Sequence, residues 1–343
     1  LDHLTHGRIG WNIVTGYLDS AERLIGQKGL KDHDLRYEQA EEFLELCYKF
    51  WEGSWEDDAV QKDKLNRVFT DPSKVHAIQH QGKFFQSQGV FQVSPSIQRT
   101  PVLYQAGASS KGLAFATQHA EAMFIGADTP EKLKQQVDKI RALALSHGRD
   151  EQAIKLFVGI SVVTAETDEL AQEKLAEYIR YASPEAGLVH FSSSVGIDLA
   201  QFTDDEAIPY KQTNSIASVN NKFKEQKVTR ADLKAQHVLG GRYPLIVGSG
   251  KTVAEKLILL IDETGVDGFN LTRTVAPESH QDFIGWVIPE LQERGRYKTA
   301  YETGSLRHKL FAQGDRLAAD HPVQQYRCQS SSPDSKTQQK QTA

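Results

Sequence analysis

Two groups of residues have the types and spacing for chemistry. The first lies in Pro101–Gly112, PVLYQAGASSKG. Val102, Leu103 and Tyr104 have strand character and run into Gln105-Ala106-Gly107-Ala108-Ser109-Ser110-Lys111-Gly112, a small-residue turn that opens a helical run over Leu113–Ala120. Backbone amides at a helix N-terminus, with hydroxyls beside them and little side-chain bulk, suit a phosphate. The plainer alternative is a strand-to-helix turn whose serines cap the helix. The second group is His33 and Tyr37, four apart at the opening of a helix over Asp34–Trp51. On one face of a helix start, an imidazole and a phenol can both reach a phosphate or a cofactor; the pair also reads as a cap and a half-buried aromatic. Asn12, beside Trp11 in the apolar strand Arg8–Val14, needs a partner if buried, and the polar edge of a cofactor ring would be one.

Other motifs fail on their spacing. Gly248-Ser249-Gly250-Lys251-Thr252 follows the apolar Pro244–Val247, but a Walker loop needs glycine where Leu245 stands, so the stretch reads as a turn with a helix cap. No GxGxxG follows any strand, and Gly107-Ala108-Ser109-Ser110-Lys111 misses the second glycine of a nucleophile elbow. His76 and His80 are four apart in a hairpin-like region without the acid of an HExxH motif, so no metal site is expected. A net charge of −5 and the lack of a basic stripe argue against nucleic acid. Cys47 and Cys328 are far apart, which fits a reducing compartment and a cytoplasmic location. No apolar run approaches a membrane span.

The elements that must position these groups alternate. Strands are expected at Arg8–Val14, Val102–Tyr104, Ala122–Gly126, Ile154–Val163 and Gly268–Leu271. Helices are expected at Tyr17–Ile25, Asp34–Trp51, Leu113–Ala120, Thr129–His147, Thr167–Tyr181, Thr252–Glu263 and His280–Arg294. In the second of these, Phe43, Leu46, Cys47 and Phe50 share a face. Gaps too long for hairpins make the strands a parallel α/β sheet, and five are counted. Residues 54–100, with a hairpin of His76–Gln79 against Phe84–Gln86, and 183–243, with the polar segment Lys222–Lys227, are irregular excursions. The polar stretch 316–343 is expected to be a disordered tail after a single domain over 1–315.

Several stretches together resemble the bacterial-luciferase-like flavin monooxygenases, in the branch of nitrilotriacetate, dibenzothiophene-sulfone and long-chain alkane monooxygenases. They are LDHLTHGRIGWNIVTG at 1–16, HDLRYEQAEEF at 33–43, WEDDAVQKDK at 55–64, DPSKVHAIQHQGKFF at 71–85, PVLYQAGASSKG at 101–112 and DGFNL at 267–271. They run in the family's order and spacing as far as about Phe311.

The resemblance implies a TIM-type (β/α)₈ barrel with its site at the C-terminal ends of the strands. It implies reduced FMN as co-substrate, supplied by a separate NAD(P)H:flavin reductase, and a C4a-peroxyflavin that oxygenates a small organic substrate. It places Asn12 and Thr15 near the flavin ring, His33 and Tyr37 by the FMN phosphate and ribityl chain, and Ala108 and Ser109 in the phosphate turn. Where relatives often have serine, this chain has Gly16 and Ala108. The first residue is Leu1 and the sole methionine is Met123; the family's first three βα units are expected to be missing, leaving about five of eight in an incomplete barrel. A homodimer is expected of a full-length parent. Alternatives are a catalytically inactive flavin- or partner-binding half-barrel, and a deazaflavin-dependent oxidoreductase of the same superfamily.

Overall fold

The computed structural model describes residues 1–210, 223, 227–239, 241 and 243–328. In chain order its strands are β1 (Gly10–Ile13), β2 (Val60–Asp63), β3 (Val68–Thr70), β4 (Ile78–Gln81), β5 (Gln86–Gly89), β6 (Val102–Gln105), β7 (Ala122–Ile125), β8 (Lys155–Ala165), β9 (Leu245–Ser249) and β10 (Gly268–Thr272). The helices used below are α1 (Asp19–Leu24), α2 (His33–Gly53), α3 (Ser110–His119), α4 (Pro130–Ser146), α5 (Asp168–Tyr181) and α6 (Pro184–Val195). After these come α7 (Arg230–Gln236), α8 (Gly250–Thr264), α9 (Glu278–Asp282), a π-helical turn at Phe283–Val287, and α10 (Ile288–Glu293).

The single domain expected over 1–315 divides into two compact units. One comprises Asn12–Tyr37 and Tyr104–Glu302. Its sheet follows the path β1-β6-β7-β8-β10, with β9 pairing β8 off that path; β1 and β6 begin in the other unit. The five expected strands therefore form the path, and the count of five is corrected to six by Leu245–Ser249. β8 is long enough to pair β7 through Lys155–Val158, β10 through Phe157–Ser161 and β9 through Ser161–Ala165, all parallel.

Strand alternation sends Met123, Ile125, Leu156, Val158 and Ile160 to one face, where they bury against Val137 and Ile140 of α4 and Leu257 of α8. Successive rings of Tyr104, Phe124 and Phe157 lie on the other face, with centroids 5.6 and 6.4 Å apart. Threonine and serine start the helices as their sequence predicts: Thr129, Thr167 and Ser249 accept from the third amide of α4, α5 and α8. The glycine-lysine-threonine stretch at 248–252 is thus the turn and cap expected.

Asp168 adds a second tie there, accepting from the Ser249 amide (2.6 Å) and the Thr252 hydroxyl (3.0 Å). Those two donors hold its carboxyl below the ordinary 3.8. A depressed carboxyl stabilises the fold fully above its unfolded value and loses that contribution as pH falls through the folded value. The stability gap between wild type and Asp168→Asn is therefore expected to be constant above pH 3.8 and to close below it. Denaturant midpoints across that range check this; a gap that stays constant into acid would refute it.

The other unit comprises Leu1–Trp11, Glu38–Leu103 and the chain from Thr303. Its 54–100 excursion holds two antiparallel hairpins, β2–β3 and β4–β5. The second is the expected hairpin with its strands shifted, pairing Ile78–Gln81 with Gln86–Gly89. Glu42 explains the shift, because its carboxylate accepts from the Phe84 and Phe85 amides and fixes the turn. On α2, Leu46 and Cys47 are buried as expected, but Phe43 is 42% exposed and Leu44 and Tyr48 take the innermost positions.

The expected tail needs correction over 316–328. Leu317, His321 and Val323 are buried and Pro322–Tyr326 is a 3₁₀ helix; residues 329–343 lie outside the described residues. So does most of Lys222–Lys227, where only Phe223 and Lys227 are described.

Candidate functional site

The first turn of α2 and the β6–α3 turn meet within one unit. Tyr37 is buried beside Phe115 of α3, ring centroids 5.9 Å apart, and His33 lies 5.2 Å from Tyr37 one helical turn earlier. The Tyr37 hydroxyl reaches the glycines of the turn. A Cβ added at Gly107 would sit 2.5 Å from it, and one at Gly112 would sit 2.7 Å away. Glycine is required at both positions because a buried phenol occupies the space a side chain would fill.

Donors dominate this cradle. The Ser109 hydroxyl oxygen accepts from the Gly112 amide at 3.0 Å, capping α3 and leaving its own proton to donate. The Ser110 and Lys111 amides are first-turn groups that α3 itself cannot satisfy. The His33 Nδ1 faces the Asp34 carboxylate at 2.8 Å, so Nδ1 carries the proton and Nε2 donates only from the imidazolium. Hydroxyls and helix-start amides around a turn without side-chain bulk fit a phosphate monoester such as that of FMN.

Of the six residues singled out by sequence, the structure brings together His33, Tyr37 and the turn holding Ala108 and Ser109. Ala108 is exposed at its tip, and Ser109 is half-buried. Asn12 is exposed on β1 and Thr15 half-buried beyond it. Among the described residues neither hydrogen-bonds to the cradle. Their loop is tied to it indirectly: the Arg36 guanidinium donates to the Gly16 carbonyl, one residue before Tyr37. Burial lowers the pKa of that arginine.

Sequence reasoning missed Arg36 and Gln105. Gln105 is 3% exposed at the end of β6, with its side chain between Gly107 and Tyr37. A buried amide ending an apolar strand was its only signal. His76 and His80 pair with Glu56 and Glu42, and no cluster among the described residues could hold a metal ion. No described helix is long and apolar enough to cross a membrane.

The luciferase-like monooxygenase family model matches residues 1–268. The chain belongs to this family. It is 45% identical over 332 residues to the dimethyl-sulfide monooxygenase of Hyphomicrobium sulfonivorans, covering 95% of this chain and 69% of that protein. It is also 45% identical over 329 residues to the long-chain alkane monooxygenase of Geobacillus thermodenitrificans, covering 95% and 71%. Among solved structures, a riboflavin lyase with modified FMN and riboflavin superposes with a TM-score of 0.89 at 39% identity, covering 96% and 73%. The family's α/β TIM-barrel fold accounts for the parallel sheet and its helical layer. The chain spans 69–73% of the length of these three relatives.

Proposed function

We propose that this family member is an FMNH₂-dependent monooxygenase that inserts one atom of O₂ into a small organic substrate. The observation that carries the reading is the cradle of Tyr37, Gly107, Ser109 and Gly112, too tight for any side chain and furnished with donors. Bound reduced FMN supplies the electrons that activate O₂. The protein's part is to hold the phosphate with the Ser109 and Tyr37 hydroxyls and the α3 amides, with His33 alongside. Asn12 and Thr15 face the ring in this reading, reached through the loop that Arg36 fastens. A separate NAD(P)H:flavin reductase delivers the reduced flavin, and the working unit is a homodimer.

The substrate class follows the relatives at 45% identity: an apolar molecule of the dialkyl-sulfide or alkane kind. The test supplies the protein with a flavin reductase, NADH and FMN, offers dimethyl sulfide and long-chain alkanes, and follows ¹⁸O from ¹⁸O₂ into product. Labelled product that disappears without FMN or O₂ is expected. Tight FMNH₂ binding without turnover of any substrate would favour the inactive half-barrel. Activity with a reduced deazaflavin under anaerobic conditions would favour the oxidoreductase alternative.

A further inference from the structure

We infer that Gln105 is a positioning residue that aims the Tyr37 hydroxyl proton at the bound phosphate. The inference rests on the reading that the β6–α3 turn holds the phosphate of FMN. Its starting point is a buried primary amide whose two ends are both committed. The Gly107 amide donates to the Gln105 side-chain oxygen, and the Gln105 side-chain nitrogen donates to the Tyr37 hydroxyl oxygen at 3.4 Å.

The two orientations of a side-chain amide have the same shape and differ only in which end donates. Here chemistry settles it. The Gly107 N–H can only donate, so the atom facing it must be the oxygen, and the NH₂ must face Tyr37. The phenol oxygen then accepts, and its own proton has to point elsewhere. Two consequences follow for the cradle. Gly107 is removed from the set of amides open to an anion, leaving the first-turn amides of α3. The Tyr37 hydroxyl becomes a committed donor rather than one that could turn inward.

Gln105 also explains why the turn tolerates so little change. A Cβ at Gly107 would lie 2.9 Å from both Gln105 side-chain heteroatoms as well as 2.5 Å from the Tyr37 hydroxyl. The three groups are mutually fixed.

The readout is the ratio of riboflavin to FMN dissociation constants, measured by flavin fluorescence in wild type, Gln105→Met, Gln105→Glu, Tyr37→Phe and the Gln105→Met/Tyr37→Phe double variant. The ratio isolates phosphate recognition, since a general loosening of the fold weakens both ligands alike. Wild type is expected to prefer FMN strongly. Tyr37→Phe should lower the ratio by about tenfold, the scale of one hydrogen bond to a charged group. Gln105→Met should lower it by a similar factor, and the double variant no further than Tyr37→Phe, because glutamine acts through the phenol.

Gln105→Glu keeps an acceptor for Gly107 but makes the phenol donate inward, so it should also lower the ratio; it serves if the methionine variant does not fold. A wild-type preference that survives both Gln105 variants would overturn the inference and leave the phosphate site standing. So would a double variant whose loss is the product of the singles. A wild type without preference for FMN would remove the phosphate reading itself, and the inference with it.

Discussion

Gly112→Ala is expected to raise the FMN dissociation constant by about tenfold or more, without the stabilisation that this exchange normally gives a helix. Gly112 is the third residue of α3 and its backbone is helical. At an ordinary helical site alanine is favoured over glycine by about 1 kcal/mol. Here the new Cβ would lie 2.7 Å from the Tyr37 hydroxyl, 3.0 Å from the Gly107 Cα and 3.1 Å from its carbonyl carbon. Two of those three atoms are backbone, and the third ends a ring that is 8% exposed and packed on Phe115. Overpacking of this kind costs about 1–3 kcal/mol, enough to cancel the helical gain. Either α3 moves away from the turn or Tyr37 leaves it, and both open the cradle; about 1.4 kcal/mol of lost binding is the tenfold change. Adding Tyr37→Phe removes the shortest of the three contacts and should recover part of the stability without recovering affinity. Thermal unfolding and FMN titration of wild type and these two variants decide the matter. A Gly112→Ala protein that is more stable than wild type and binds FMN within twofold would sink the account.

The elements were legible where one local signal sufficed. Thr129, Thr167 and Ser249 mark helix starts through cap chemistry that needs only three following residues. The five strands on the sheet path stand out as apolar runs. β9 escaped because Leu245–Ser249 carries a glycine, Gly248, with φ +154° next to its last residue, and reads as the approach to a turn. Residues 316–328 escaped for a different reason. Leu317, His321 and Val323 are buried singly among polar neighbours, with neither helical nor strand period, so composition alone pointed to a tail. In the cradle, His33, Tyr37 and Ser109 announced themselves by residue type. Gln105 and Arg36 did not, because each works through a partner far along the chain, Tyr37 for one and Gly16 for the other. The glycine requirement at 107 and 112 is likewise a fact of tertiary contact; the sequence shows small residues but not the phenol that demands them.

Removing the Glu52 carboxylate is expected to be the most destabilising single change in the unit that holds the far end of α2. Its side chain is fully buried. It accepts from the Thr100 hydroxyl at 2.6 Å and the Thr100 amide at 3.3 Å, and it pairs with Arg316 and Arg327 from the chain's last described stretch. Asp57 joins the network, bridging Arg99 and Arg316. Burial tends to raise the Asp57 carboxyl, but the two guanidiniums outweigh it and hold it below 3.8.

Glu52→Ala would leave Thr100 without its acceptor and three arginines facing one carboxylate. Breaking a buried pair from one side costs about 3–5 kcal/mol. Arg316 and Arg327 are each more than a quarter exposed and can turn partly to water, so about 3 kcal/mol is expected. Glu52→Gln keeps an acceptor for Thr100 and should cost less. Pairing Glu52→Leu with Arg316→Met removes both partners of one bridge and should recover part of the loss, since apolar replacement of a buried ion pair is often neutral. Denaturant unfolding followed by the fluorescence of Trp51 and Trp55, which lie in the same unit, reads all three. If Glu52→Ala moves that transition by less than about 1 kcal/mol, the scale of an exposed pair, the carboxylate is not what fastens the 316–328 stretch to α2.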